Sequence, residues 1–172
     1  MITDNHPDAV TGDAETRSAL GLLRRAVTLP WESVDQVLRE HAVGGAGAQE
    51  DWGDVSTPAT PAWHLRHALH IFRVHAATWM GETPPPDGAM SALPAEPGAV
   101  REALLAEIDR FSAWLAAQPP GELHRPVHYG QAWTGAEMIS IMLNHIVWHA
   151  AAAHYGLRAA LRAAARSADQ GR

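Results

Sequence analysis

Met138, Met142, His145, His149, Ala152 and Gly156 follow one another by steps of four and three. Such spacing puts them on one face of an α-helix, and a face of this kind is the inward seam of a helix bundle. The run around it, LNHIVWHAAAAHYG from 143 to 156, is otherwise apolar and rich in alanine. His145 and His149 stand one turn apart along the axis and about 40° apart around it. Both imidazoles are therefore predicted to face a core, where their ring nitrogens need partners. Two hydrogen-bonded core histidines would meet that need, and so would a divalent ion that takes one nitrogen from each ring. Ile146 follows His145, where a zincin protease carries its catalytic glutamate, so that chemistry has no general base here. His154 is predicted on the far side of the helix, at a surface or an interface.

The rest of the chain is also helical in pattern. From Ala14 to about His41 apolar residues recur at helical spacing, with a break predicted near Leu29 and Pro30. Residues 44–61 form a long loop rich in Gly, Pro and Asp. A helix is predicted to start at Thr60 as cap with Pro61 in its first turn, and to stop at Gly81. After the loop ETPPPDGAMSALPAEP, residues 98–118 form an amphipathic helix that ends before Pro119 and Pro120. The segment PPGELHRPVHYGQAW holds no strong element, and no strand is predicted anywhere. Thr134 and Glu137 form a capping-box signature that opens the last helix, which is expected to reach about Ala165. The expected class is all-α: an antiparallel four-helix bundle whose long loops leave room for a crossover connection. The expected organisation is a flexible N-terminus (1–13), one helical domain (14–165) and a C-terminal tail (166–172).

A third metal ligand would have to come from another helix, and WHLRHALHIFRVH offers His64, His67, His70 and His75. The inward seam of that helix is read as His67, Ile71, Val74 and Thr78, with His64 at its edge and His70 more peripheral. His67 is thus the first candidate, His64 the second and His70 the third. A solvated or capping role is the alternative for each, and is strongest for His64. His124 and His128 lie in the segment before the last helix; they are candidates for the mouth of a site, but the favoured reading is ordinary polar loop residues. Trp63 and Trp148 adjoin candidate ligands, so they either shape a pocket or simply pack.

Composition removes many alternatives. The chain has 172 residues, no cysteine and no lysine, all 13 basic residues being arginine. Thiolate catalysis, disulfides, iron–sulfur clusters, a P-loop lysine and Schiff-base chemistry are excluded. Histidine (11 residues) is the ligand, acid and base in supply. A net charge of −6, with no basic cluster apart from a few arginines near the C-terminus, argues against nucleic acid. No apolar run is long enough to span a membrane. The first residues, MITDNHPDAVTGDAE, are acidic where a signal peptide is basic and apolar, which leads to the expectation of a cytoplasmic protein.

Two motifs carry a family resemblance. Trp63-His64-Leu65-Arg66-His67 resembles a segment early in the second helix of the DinB-like (YfiT-like) metal-binding four-helix bundles. His145-Ile146-Val147-Trp148-His149, preceded by Gly130-Gln131-Ala132-Trp133-Thr134, resembles the family's H-x-x-x-H in its last helix. The resemblance spans roughly residues 14–165. It implies a three-histidine site on zinc or nickel with open coordination positions, His67, His145 and His149 occupying the matching positions. It also implies homodimers and, among relatives, transferases or isomerases that use mycothiol, bacillithiol or glutathione. In such a site an ion held by neutral imidazoles would acidify a bound thiol or water. The chain departs from the pattern after His149: many relatives place a polar residue there, whereas here Ala150, Ala151, Ala152 and Ala153 follow. The extra domain of the longer mycothiol-dependent relatives is not expected here. The expected function is transfer of a small thiol to an electrophilic small molecule, or isomerisation of a thiol adduct. The alternatives are a non-catalytic metal- or ligand-binding bundle and a hydrolase that uses bound hydroxide.

Overall fold

The computed structural model describes residues 8–29, 33–42, 52–54, 56–129 and 131–170. Pro30, half of the 44–61 loop, Gly130 and both chain ends lie outside the described residues. Five α-helices occur among the described residues: α1 (Asp8–Thr28), α2 (Val34–Ala42), α3 (Pro61–Met80), α4 (Pro97–Ala116) and α5 (Gly135–Gln170). The class is all-α. Helix α1 begins inside the stretch expected to be frayed, and α5 runs through most of the expected tail.

The helix ends follow local chemistry. Thr60 Oγ1 accepts a hydrogen bond from the Trp63 amide at 3.2 Å, and Pro61 occupies the first turn of α3, where no donor is needed. Gly81 closes α3 at φ 73°, the left-handed region a side chain disfavours. At the start of α5 the capping box is complete. Glu137 Oε2 accepts from the Thr134 amide at 2.7 Å, and Thr134 Oγ1 accepts from the Glu137 amide at 3.3 Å. Ser33 caps α2 by accepting from the Gln36 amide at 3.3 Å.

Four long helices form the bundle, with α1 and α3 each packed between α4 and α5. Helices α3 and α5 are antiparallel: Pro61 lies against Gly156, His67 against His145, and Trp79 against Gly135. Helices α1 and α4 are antiparallel too, tied by the Arg24–Asp109 pair, with the following Asp35 of α2 on Arg101. Helices α3 and α4 run the same way, because the 81–96 connection returns along α3. Arg66, 4% exposed, anchors that crossover through the carbonyls of Met90 and Leu93. Arg73 pairs with Glu107 at 2.8 Å, and Trp79 meets Trp114 further along both helices.

The core is built from Leu23 and Val27 of α1, Leu65, Leu69 and Phe72 of α3, Leu104, Ile108 and Phe111 of α4, and Met138, Met142, Ile146 and Leu157 of α5. Each such side chain contributes roughly 1.5–3 kcal/mol when fully buried. The inward stripe of α3 is thus Leu65, Leu69, Phe72, Ala76 and Trp79, not the expected His67, Ile71, Val74 and Thr78, which are only half-buried. A helix in a bundle touches two neighbours, so both stripes are partly covered, and the larger apolar one takes the centre. His67 consequently sits in the groove toward α5.

A two-stranded antiparallel hairpin, β1 (Pro126–Tyr129) and β2 (Gln131–Thr134), corrects the expectation of no strands. Val127, Tyr129 and Trp133 are strand-favouring residues on either side of Gly130, and Val127 is buried. The hairpin leads into Gly135, so it lies at the Trp79 end of α3. His67 is twelve residues earlier on that helix, about 18 Å along its axis.

Candidate metal centre

The close approach of α3 and α5 sets the site. At one end a Cβ on Gly135 would stand 2.5 Å from Trp79 Cζ2. At the other, a Cβ on Gly156 would stand 3.2 Å from Pro61 Cγ. With both ends tight, the imidazoles between them are brought face to face. One ring nitrogen from each of His67, His145 and His149 lies within 4.8 Å of those of the other two. Ring centroids are 4.7 Å apart for His67 and His149, 5.3 Å for His67 and His145, and 4.5 Å for His145 and His149.

His149 is 2% exposed, and the other two are half-buried. His67 Nδ1 and His145 Nε2 are buried and have no hydrogen-bond partner among the described residues. Burial, followed by the neighbouring His145, His67 and His64, pushes His149 down to about 3. Burial, followed by His145, His70 and His64, pushes His67 down to about 4. Burial and then His75 lower His145 as well. All three rings are thus neutral near pH 7, the form in which imidazole offers a lone pair to a metal. Orphaned buried nitrogens, neutral rings and an all-nitrogen donor set fit a zinc-like divalent ion.

The remaining candidates are not among these three. His64 touches the cluster through His149, with the two Nδ1 atoms 2.9 Å apart. His70 is buried (5% exposed) rather than peripheral, and burial lowers its pKa. His75 is buried too and lies near enough to His145 to depress its proton affinity, a role the helical pattern did not reveal. His124 does not line the site: it is largely exposed at the hairpin end, its Nε2 3.4 Å from Glu15 Oε2. The His128 side chain lies outside the described residues. His154 packs toward α2, 3.5 Å from Glu40 Oε2, and lines a cavity of about 240 Å³ with Ser33, Gln36 and Tyr155.

Both tryptophans expected beside the site are there. Trp63 stacks on His67 at 4.6 Å between ring centroids and 13° between planes. Trp148, 61% exposed, meets His64 and His149 edge-on at 5.7 and 4.6 Å. The site therefore lies near the protein surface with aromatic walls.

Fold and site together define a helical bundle with a three-imidazole cluster between two antiparallel helices. A model of the DinB superfamily matches residues 31–157, and the chain belongs to that superfamily. Comparison with curated proteins and with solved structures returned no match. Among the described residues, no helix is long and apolar enough to cross a membrane.

Proposed function

We propose that His67, His145 and His149 hold a divalent ion, zinc or nickel, and that the protein uses it to transfer a low-molecular-weight thiol to an electrophile or to isomerise a thiol adduct. The observation that carries the metal reading is the pair of buried nitrogens without a partner among the described residues, His67 Nδ1 and His145 Nε2, in a cluster of neutral rings. Leaving such groups unsatisfied costs about 1–3 kcal/mol each, and an ion removes that cost for both. When bound, the ion supplies a Lewis acid that lowers the pKa of a thiol presented to it.

The chain's own residues support thiol chemistry in two ways. Without cysteine, any sulfur nucleophile has to come from a cosubstrate. The ligand cluster consists of imidazoles alone, so an ion held there would keep its full positive charge and acidify a thiol presented to it. Trp63 and Trp148 offer apolar ring faces beside the cluster, suited to exclude water and hold the organic part of a substrate.

Thermal-shift titration of the zinc-loaded protein against mycothiol, bacillithiol, glutathione and ergothioneine tests this reading. One thiol is expected to raise the melting temperature, and to do so only with metal present. A protein that holds its metal but responds to none of them is not a thiol transferase.

A further inference from the structure

A histidine that ligates a metal through one ring nitrogen must satisfy the other one elsewhere, and the partner it finds fixes its tautomer and orientation. For His149, 2% exposed, bulk water is not that partner. The residues that follow it on its own helix offer no polar side chain either, since they are Ala150, Ala151, Ala152 and Ala153. The partner comes from α3: His64 Nδ1 stands 2.9 Å from His149 Nδ1. His64 is 9% exposed, and it is not one of the three residues whose nitrogens converge within 4.8 Å.

Two neutral imidazole nitrogens at this separation share one hydrogen bond, in which one ring donates and the other accepts. Were His149 Nδ1 the acceptor, its ring proton would sit on Nε2 and leave no lone pair there for an ion. With His149 Nδ1 as donor, Nε2 carries a free lone pair. The ring of His64 is held for this task, edge-on to Trp63 at 5.3 Å and to Trp148 at 5.7 Å.

We propose that His64 is a positioning residue of the metal centre, accepting the Nδ1–H of His149 so that Nε2 of His149 is the ligand atom. The proposal rests on the three-histidine metal reading. In it, α3 supplies both a ligand, His67, and, one turn earlier, the polar support for a ligand on the facing helix. The alanine run after His149 is then no deficit, because the supporting group arrives from across the helix interface.

The test compares zinc affinity, by chelator competition, of the wild type, His64→Phe and His64→Asn. The Asn amide oxygen can take the place of Nδ1 as acceptor, whereas Phe keeps the ring and loses the acceptor. His64→Phe is expected to bind zinc about 10–100-fold more weakly, and His64→Asn to recover most of that loss. Two-bond ¹⁵N NMR of the zinc-loaded wild type should show His149 protonated at Nδ1 and metal-bound at Nε2. X-ray absorption should count the same number of imidazoles on zinc in wild type and His64→Phe. Wild-type affinity in His64→Phe overturns the role of His64 alone. So does the loss of one imidazole from zinc in that variant, which would make His64 a ligand. A wild type that binds no zinc overturns the metal reading as well. Circular dichroism on each metal-free variant checks the fold, and His64→Asn keeps the comparison decisive if Phe disturbs packing.

Discussion

His67 on α3 and His145 on α5 face one another with ring centroids 5.3 Å apart, and each keeps a buried ring nitrogen that no described residue satisfies. Neither helix could form the cluster alone, since α5 contributes two imidazoles and α3 the third. This arrangement gives the most direct prediction. Purified without chelators, the protein should carry about one divalent ion per chain, held by three imidazoles. His67→Ala or His145→Ala should reduce that content to near none, measured by inductively coupled plasma mass spectrometry, while the helical circular dichroism persists. Unchanged metal content in either variant would place the ion elsewhere.

The buried histidines also set how the metal-free protein responds to acid. Folded His67 and His149 titrate at about 4 and about 3, against 6.5 for an unburied ring. As pH falls through 6.5 the unfolded chain takes up protons that the folded one refuses, so acid favours unfolding. The stabilisation from keeping these rings neutral is complete above about 6.5. It declines below that pH until the folded rings protonate too. Thermal melts of the metal-free protein between pH 7 and pH 4 should show a falling melting temperature, with a shallower slope in His149→Phe. Parallel slopes would mean that His149 titrates normally in the folded state.

Gly135 tests the contact that holds one end of the site in register. A Cβ there would meet Trp79 Cζ2 at 2.5 Å and Leu123 Cα at 2.9 Å, a ring and a backbone atom that cannot simply swing aside. Gly135→Ala is expected to cost about 1–3 kcal/mol, the range typical of overpacking. Urea unfolding measures it, and a loss below a few tenths would show that the α3–α5 crossing can relax.

Two caps offer milder tests. Thr60 accepts from the Trp63 amide at the start of α3, and Thr134 from the Glu137 amide at the start of α5. Thr60→Ala and Thr134→Ala should each cost about 0.5–2 kcal/mol in the same unfolding experiment. As the sites are on separate helices, the double variant should lose close to the sum.

Local rules made much of this legible. Caps at Thr60 and Thr134, the stop at Gly81 and the break between α1 and α2 depend on a few neighbouring residues, so the residue order reveals them. Four-residue spacing put His145 and His149 on one helix face, and that pairing also needs no knowledge of the rest of the chain. The hairpin was harder to read, because strands of four residues carry little periodicity and draw their stability from the helices they cover. The position of His124 is a tertiary matter: its neighbour Glu122 accepts from Trp79 Nε1 at 3.2 Å, which holds this segment at the opposite end of α3 from His67.

What the sequence by itself determined is the helical class, the helix ends and the two imidazoles on α5, all consequences of interactions spanning a turn or two of chain. What only the tertiary structure decided is how α3 is rotated and how closely it meets α5. The rotation turned Leu65, Leu69 and Phe72 to the centre and left His67 in the groove. The close approach, with Gly135 under Trp79 and Gly156 under Pro61, brought His64 onto His149, residues 85 positions apart. Rotation and approach are settled by packing whole apolar surfaces against one another, a balance among all the helices that no single segment contains.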